Sequence, residues 1–211
     1  MLKILLAIAA TALPAGDRPV FEGHAEPVRG HIAERIKGSS WHPGCPVGIG
    51  QLSLVEVSYW GFDGEVHRGR LVINDAEADG VVAAMKRLFH LRYPIRRMEL
   101  VDRYGADDHR SMNADNTSAF NCRFVAGTSH WSMHAYGRAL DLNPIENPYV
   151  AGSHVSPSAG TPYADRSRHA RGMIHAGDDV VEAFAKKVGW GWGGSWPAAA
   201  RDYQHFSSNG S

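Results

Sequence analysis

The chain has 211 residues, enough for one full domain with a real core. Its 44% hydrophobic and 21% charged residues are those of an ordinary soluble protein. Lysine plus arginine equals aspartate plus glutamate, 22 of each, so no global field favours nucleic acid or an anionic membrane, and a monomer is expected.

Residues 1–15 (MLKILLAIAATALPA) carry one lysine, an apolar run and then small residues, the pattern of a secretory signal peptide. A buried N-terminal helix or strand is the alternative. The apolar run is too short to cross a bilayer as a helix, so no membrane span is expected after signal removal. The expected location is secreted, periplasmic or at a cell wall. Residues 16–50 are rich in Gly, Pro and His and read as an irregular arm, apart from a possible short helix at HIAERIK. Cys45 and Cys122 form no CxxC pattern, which excludes a thiolate zinc site; their distance in sequence leaves pairing open.

The main domain is expected over 51–207, with a flexible tail at 208–211. QLSLVEVSYWGF alternates as a strand, Asp63-Gly64 is a hairpin turn, and EVHRGRLVIN is the returning strand. Asn74 or Asp75 caps a helix whose apolar face is Val81, Val82, Met85, Leu88 and Phe89, and Pro94 stops it. IRRMELV reads as a further strand. Two long connections follow, 102–127 and 144–172, of the kind that is functional or disordered. Asp178 caps a last helix that ends at Gly189. Strands with two helices on one side make an α+β domain, with a small antiparallel sheet flanked by helices.

The chemistry concentrates in SMHAYGRALDLNP, residues 132–144. In GRALDLN, Leu140 and Leu142 point one way and Ala139, Asp141 and Asn143 the other. An acid between two leucines is costly to bury unless a cation meets it. His134 lies seven residues before Asp141, so it sits on the turn ahead of the strand. Near the C-terminus, Asp202 and His205 stand three apart behind GWGWGGSW. One His, one Asp and a distant second His suit a zinc site with an open fourth position. The bland readings are a satisfied core histidine, a capped aspartate and, for Asp202, a helix N-cap.

These residues resemble the signature Ser-x-His-x-x-Gly-x-Ala-x-Asp of zinc D-alanyl-D-alanine carboxypeptidases and L-alanyl-D-glutamate endopeptidases of bacteria and phage endolysins. Ser132, His134, Gly137, Ala139 and Asp141 fill every named position, and Asp202 and His205 match the closing Asp/Glu-x-x-His. The resemblance runs over about 52–206. It implies the fold shared by lysostaphin, D-Ala-D-Ala peptidases and the hedgehog signalling domain, and a peptidoglycan stem peptide as substrate. It implies one zinc ion per chain on His134, Asp141 and His205, with Asp202 as catalytic base. The family's upstream arginine, commonly in Gly-Tyr-Arg, has two counterparts here, Arg123 in FNCR and Arg103 in DRYG. Arg123 is preferred because it leads directly to the ligand histidine. Ser132, Trp192 and Trp196 are the expected substrate contacts, although tryptophans equally fill cores. His130, His154, His169 and His175 are expected in solvent rather than on metal. The rival reading is a non-catalytic, zinc-stabilised domain that binds a cell wall or a partner.

Overall fold

The computed structural model describes residues 19–210. Strand β1 (Gly23–Pro27) lies along the edge of β2 (Leu52–Trp60), which returns through Asp63-Gly64 into β3 (Val66–Asn74), all antiparallel. β2 is apolar on both faces because both are covered. Leu52, Leu54 and Val72 enter one apolar cluster, while Val55, Val57, Leu71 and Ile73 enter another. Period-two alternation sorts them.

Helix α1 (Gly30–Ile36) covers the first face with Ile32 and Ile36. A disulfide between Cys45 and Cys122 links this cover to the segment leading into the candidate site. Residues 19–50 therefore supply a strand and a cross-link besides the short helix expected at HIAERIK, where the rest was expected to be an irregular arm. Their Gly and Pro content hid an edge strand whose register is set by β2, not by its own sequence. The expected signal peptide, residues 1–15, lies outside the described residues.

Helix α2 (Asp75–His90) covers the second face, and Asn74 caps it by accepting a hydrogen bond from the Ala76 amide. Its buried positions Ala78, Val81, Ala84, Met85, Leu88 and Phe89 follow the helical repeat. Val82, expected among them, is only partly buried. The helix ends at His90, before Pro94. Helix α4 (Asp179–Lys187) packs beside it and brings Asp179 to within 2.8 Å of Arg87. IRRMELV forms no strand. Two of its amides go to side chains, Arg96 N to Asn143 Oδ1 at 3.0 Å and Glu99 N to Asn116 Oδ1 at 2.9 Å, while Ile95 N donates to Trp60 O and Met98 makes an isolated bridge to Thr117.

Beyond the short helix α3 (Asp108–Asn113), two small antiparallel sheets complete the domain. One has the order β4 (Ala139–Asp141), β9 (His205–Ser207), β7 (Gly191–Trp192). The other has β6 (His154–Ser156), β5 (Tyr149–Ala151), β8 (Arg201–Asp202). The fold is α+β, with small antiparallel sheets flanked by helices. Leu140, Leu142 and Phe206 anchor the first small sheet in the same core as α2 and α4, with Phe206 stacked on Phe184 at 4.3 Å. The long connection after β4 is held by Arg166, which donates to Glu146 O, Tyr163 O, Asn147 Oδ1 and Ile174 O and stacks over Tyr203. Among the described residues no helix is long and apolar enough to cross a membrane.

Candidate metal centre

Each candidate ligand is placed by short-range backbone chemistry. Ser132 starts a one-turn 3-10 helix, Met133–Tyr136, and its hydroxyl accepts from the His134 amide at 3.3 Å. Gly137 ends that turn at φ +67°, and a Cβ there would lie 2.7 Å from the Asn74 amide nitrogen. Glycine is needed on both counts. The chain then enters β4, where Asp141 exchanges both backbone hydrogen bonds with Ser118. β4 and β9 pair with Asp141 directly opposite His205.

The three side chains converge. His134 Nε2 lies 3.2 Å from Asp141 Oδ2, His205 Nδ1 lies 3.0 Å from Asp141 Oδ1, and the two nitrogens are 3.3 Å apart. All three residues are buried. His134 Nδ1 lies 2.6 Å from Ala119 O, which can only accept, so that nitrogen carries the proton. Neutral His134 therefore turns the lone pair of Nε2 toward a carboxylate. Something positive must occupy the triangle, a proton or a metal ion.

Electrostatics says the same of the metal-free site. Burial opposes charge on His134, but the Asp141 carboxylate outweighs it and raises the His134 pKa. Burial likewise opposes charge on Asp141, and His134 and His205 overcome it, holding that carboxyl well below the usual range. For a tetrahedral ion with ligand bonds near 2.05 Å, ligand atoms stand ~3.3 Å apart. The two histidine nitrogens stand at that spacing and Asp141 turns one oxygen toward each, so the donor set suits a zinc ion, and the Ala119 carbonyl supplies the orienting outer contact usual for a ligating histidine.

The triangle opens on a cavity of about 580 Å³. Asp202 and Gln204 line it from β8 and the turn before β9. Asp202 and His205 reach the same cavity from two short strands joined by a turn. Asp202 is consequently no helix N-cap. Its Oδ1 is sealed from solvent without a hydrogen-bond partner. Burial, and next the nearby Asp141 charge, push its pKa up to about 6. Gly193 lets the Gly/Trp loop close over this corner: a Cβ there would stand 2.5 Å from Asp202 O.

Arg123 also lines the cavity, with Nη2 2.9 Å from Asp108 Oδ2. Among the lining residues it is the sole lysine or arginine. Arg103, the other candidate, pairs with Glu99 at 3.1 Å away from the cavity. Ser132 and Trp196 are in the lining; Trp192 is not. Trp192 is buried in the core and donates its indole N–H to Tyr203 O. His130, His154 and His169 are exposed and His175 is half-buried; only His154 of these lines the cavity. Sequence reading missed Asp108, His109, Met112, Tyr149 and Gln204 in the lining. For Asp108, His109, Met112 and Tyr149 the one signal was membership of the long polar connections, and for Gln204 its place between Asp202 and His205.

Residues 126–208 match the family model described as D-alanyl-D-alanine carboxypeptidase. The match takes in His134, Asp141, Asp202 and His205, starts just after Arg123, and covers less than the span of about 52–206 expected from the motifs. It supports a peptidase acting on peptidoglycan. No curated protein and no solved structure matches the chain.

Proposed function

We propose that the chain is a zinc-dependent peptidase that hydrolyses peptide bonds in bacterial peptidoglycan stem peptides, exported to a periplasm or cell wall. The bond cut is that of a D-Ala-D-Ala carboxypeptidase or of an L-Ala-D-Glu-type endopeptidase. The observation that carries the proposal is the His134–Asp141–His205 triangle, with the partnerless Asp202 oxygen on the same cavity wall. The family match over this stretch supports it.

His134, Asp141 and His205 would hold the zinc. A zinc ion there supplies Lewis acidity, enough to bring the pKa of a water down to about 7. Asp202 accepts the proton of the attacking water as that water adds to the scissile carbonyl carbon. It then returns the proton to the departing amine. Burial works to raise its pKa, the direction that strengthens a carboxylate as a base, and a cation held nearby works against it. Arg123 donates to the carbonyl oxygen as negative charge develops there, with Asp108 holding the guanidinium in place. Ser132 and Trp196 wall the bound peptide.

A purely structural zinc domain has no use for a carboxylate with one oxygen sealed and partnerless on the cavity wall beside its metal, because such a group only costs stability. The test is incubation of the purified protein with isolated peptidoglycan and with synthetic stem peptides, products being identified by mass spectrometry. New peptide termini, lost with a chelator and restored by zinc, are expected. Zinc-loaded protein that cleaves no wall or stem-peptide bond would contradict the proposal.

A further inference from the structure

Phe124 and Val125 are neighbouring exposed large apolar residues, 45% and 46% accessible. They lie on one arm of a hairpin over 123–132. Ser132 N donates to Arg123 O, Val125 N to His130 O, and Thr128 closes the tip through its amide and hydroxyl. Phe124 and Trp131 face each other across it as an antiparallel bridge, their rings stacked with centroids 4.0 Å apart. Trp131 packs inward on the cluster that holds Ile32 and Ile36, and it also lines the cavity. Phe124 lies over it with its outer surface in solvent. The pair is a platform backed by core, so ligand binding costs it little conformational freedom. Apolar surface of this kind at the edge of a cavity points to a contact site.

The position of the hairpin selects the occupant. Its base carries Arg123 and Ser132, and Val125 and Ala126 line the cavity. A ligand leaving the cavity on this side passes the aromatic pair. In the reading above, on which this inference rests, the cavity takes a stem peptide, and stem peptides are covalently continued by a glycan strand. A pyranose ring presents a flat face of weakly positive C–H groups, which suits the negative face of an aromatic ring. A stable protein partner needs a total interface of roughly 1,000 Å² or more, beyond two adjacent side chains. We infer that the Phe124–Trp131 pair is a glycan subsite that stacks a sugar ring of the peptidoglycan strand and feeds the attached peptide into the cavity.

The test compares wild type, Phe124→Ala and Phe124→Tyr on two substrates: peptide still attached to its glycan, and the same peptide free. For Phe124→Ala, kcat/KM on the glycan-linked substrate falls about five- to tenfold, the scale of one lost aromatic contact. Free-peptide hydrolysis is unchanged, and Phe124→Tyr restores the glycan-linked rate. Equal loss on both substrates, or no loss on either, overturns the subsite. Calorimetric titration with peptide-free glycan chains separates the two readings. Binding by wild type and loss in Phe124→Ala supports the subsite even if neither peptide is cut, in which case the peptidase reading alone fails. No binding by wild type overturns the subsite.

Discussion

Asp141 and His205 stand directly opposite one another in the β4–β9 ladder, and their side chains meet at 3.0 Å. Register thus places two candidate ligands, and the turn at Met133–Tyr136 delivers the third. A carboxylate ligand also neutralises part of the ion's charge. For Asp141→Asn, zinc affinity is expected to fall at least tenfold, read by competition with a chromogenic chelator. Because protons compete for His134, whose pKa is raised, wild-type affinity also falls as pH drops. Equal zinc affinity in the variant and the wild type would remove Asp141 from the site.

Asp202 must be ionised to accept a proton, so activity is expected on the alkaline side of its pKa. That pKa is about 6 in the metal-free site, and a cation held nearby moves it lower. The acid limb of kcat/KM should therefore lie at or below pH 6. Asp202→Asn should reduce kcat/KM by about 10²–10⁴-fold with zinc retained. An acid limb well above pH 6, or near-wild-type turnover in the variant, would exclude Asp202 as the base.

Away from the cavity, Glu146 is buried against Asp115 and Arg96. Burial, then its hydrogen bond to Asp115, pushes its pKa up to about 8. A carboxyl raised on folding contributes stability that is complete below its unfolded pKa and is lost as pH rises through the folded value. Wild type should lose stability from about pH 5 to 8, with a limiting slope of about 1.4 kcal/mol per pH unit for one proton, and level off above pH 8. Glu146→Gln should lose less over that interval in urea titrations. Parallel curves for the two proteins would mean that Glu146 is already ionised at pH 7.

Gly137→Ala meets two obstacles, a left-handed backbone and the Asn74 amide at 2.7 Å. Asn74 both caps α2 and donates to Gly137 O, so relief by moving apart breaks a contact on each side. A loss of about 2–4 kcal/mol is expected by denaturant titration. The same variant should bind zinc more weakly, since His134 rides on that turn. Wild-type stability in the variant would show that the turn can relax freely.

The Cys45–Cys122 disulfide closes 77 residues of sequence and spans the cover of the first core face. Chain-entropy reasoning gives it about 4.5 kcal/mol, and disulfides typically deliver roughly 2–4 kcal/mol. The Cys45→Ser, Cys122→Ser double variant should unfold at correspondingly lower urea concentration. Identical midpoints for variant and wild type would count against its stabilising role.

Sequence was informative where local rules and the final environment agree. The β2–β3 hairpin, α2 with its Asn74 cap, and the Leu140/Leu142 alternation around Asp141 all follow such rules. Legibility failed where distant groups decide. β1 is a strand because β2 offers it an edge, whereas IRRMELV makes only an isolated bridge, with two of its amides given to Asn116 and Asn143. The motif spacing brought His134, Asp141, Asp202 and His205 to one cavity, but not the route by which β8 and β9 do it. Trp192 and Trp196, alike in sequence, part company because Trp192 donates to Tyr203 O within the core while Trp196 faces the cavity. Asp108, the partner of Arg123, sits in a polar run with no periodicity to mark it.

The most direct measurement is zinc content and stem-peptide turnover on the same purified samples of wild type and Asp202→Ala. About one zinc per chain in both proteins is expected, with peptide products from wild type alone. No zinc in either protein would contradict the ligand assignment. Zinc in both without turnover by wild type would leave the metal centre standing and remove the peptidase.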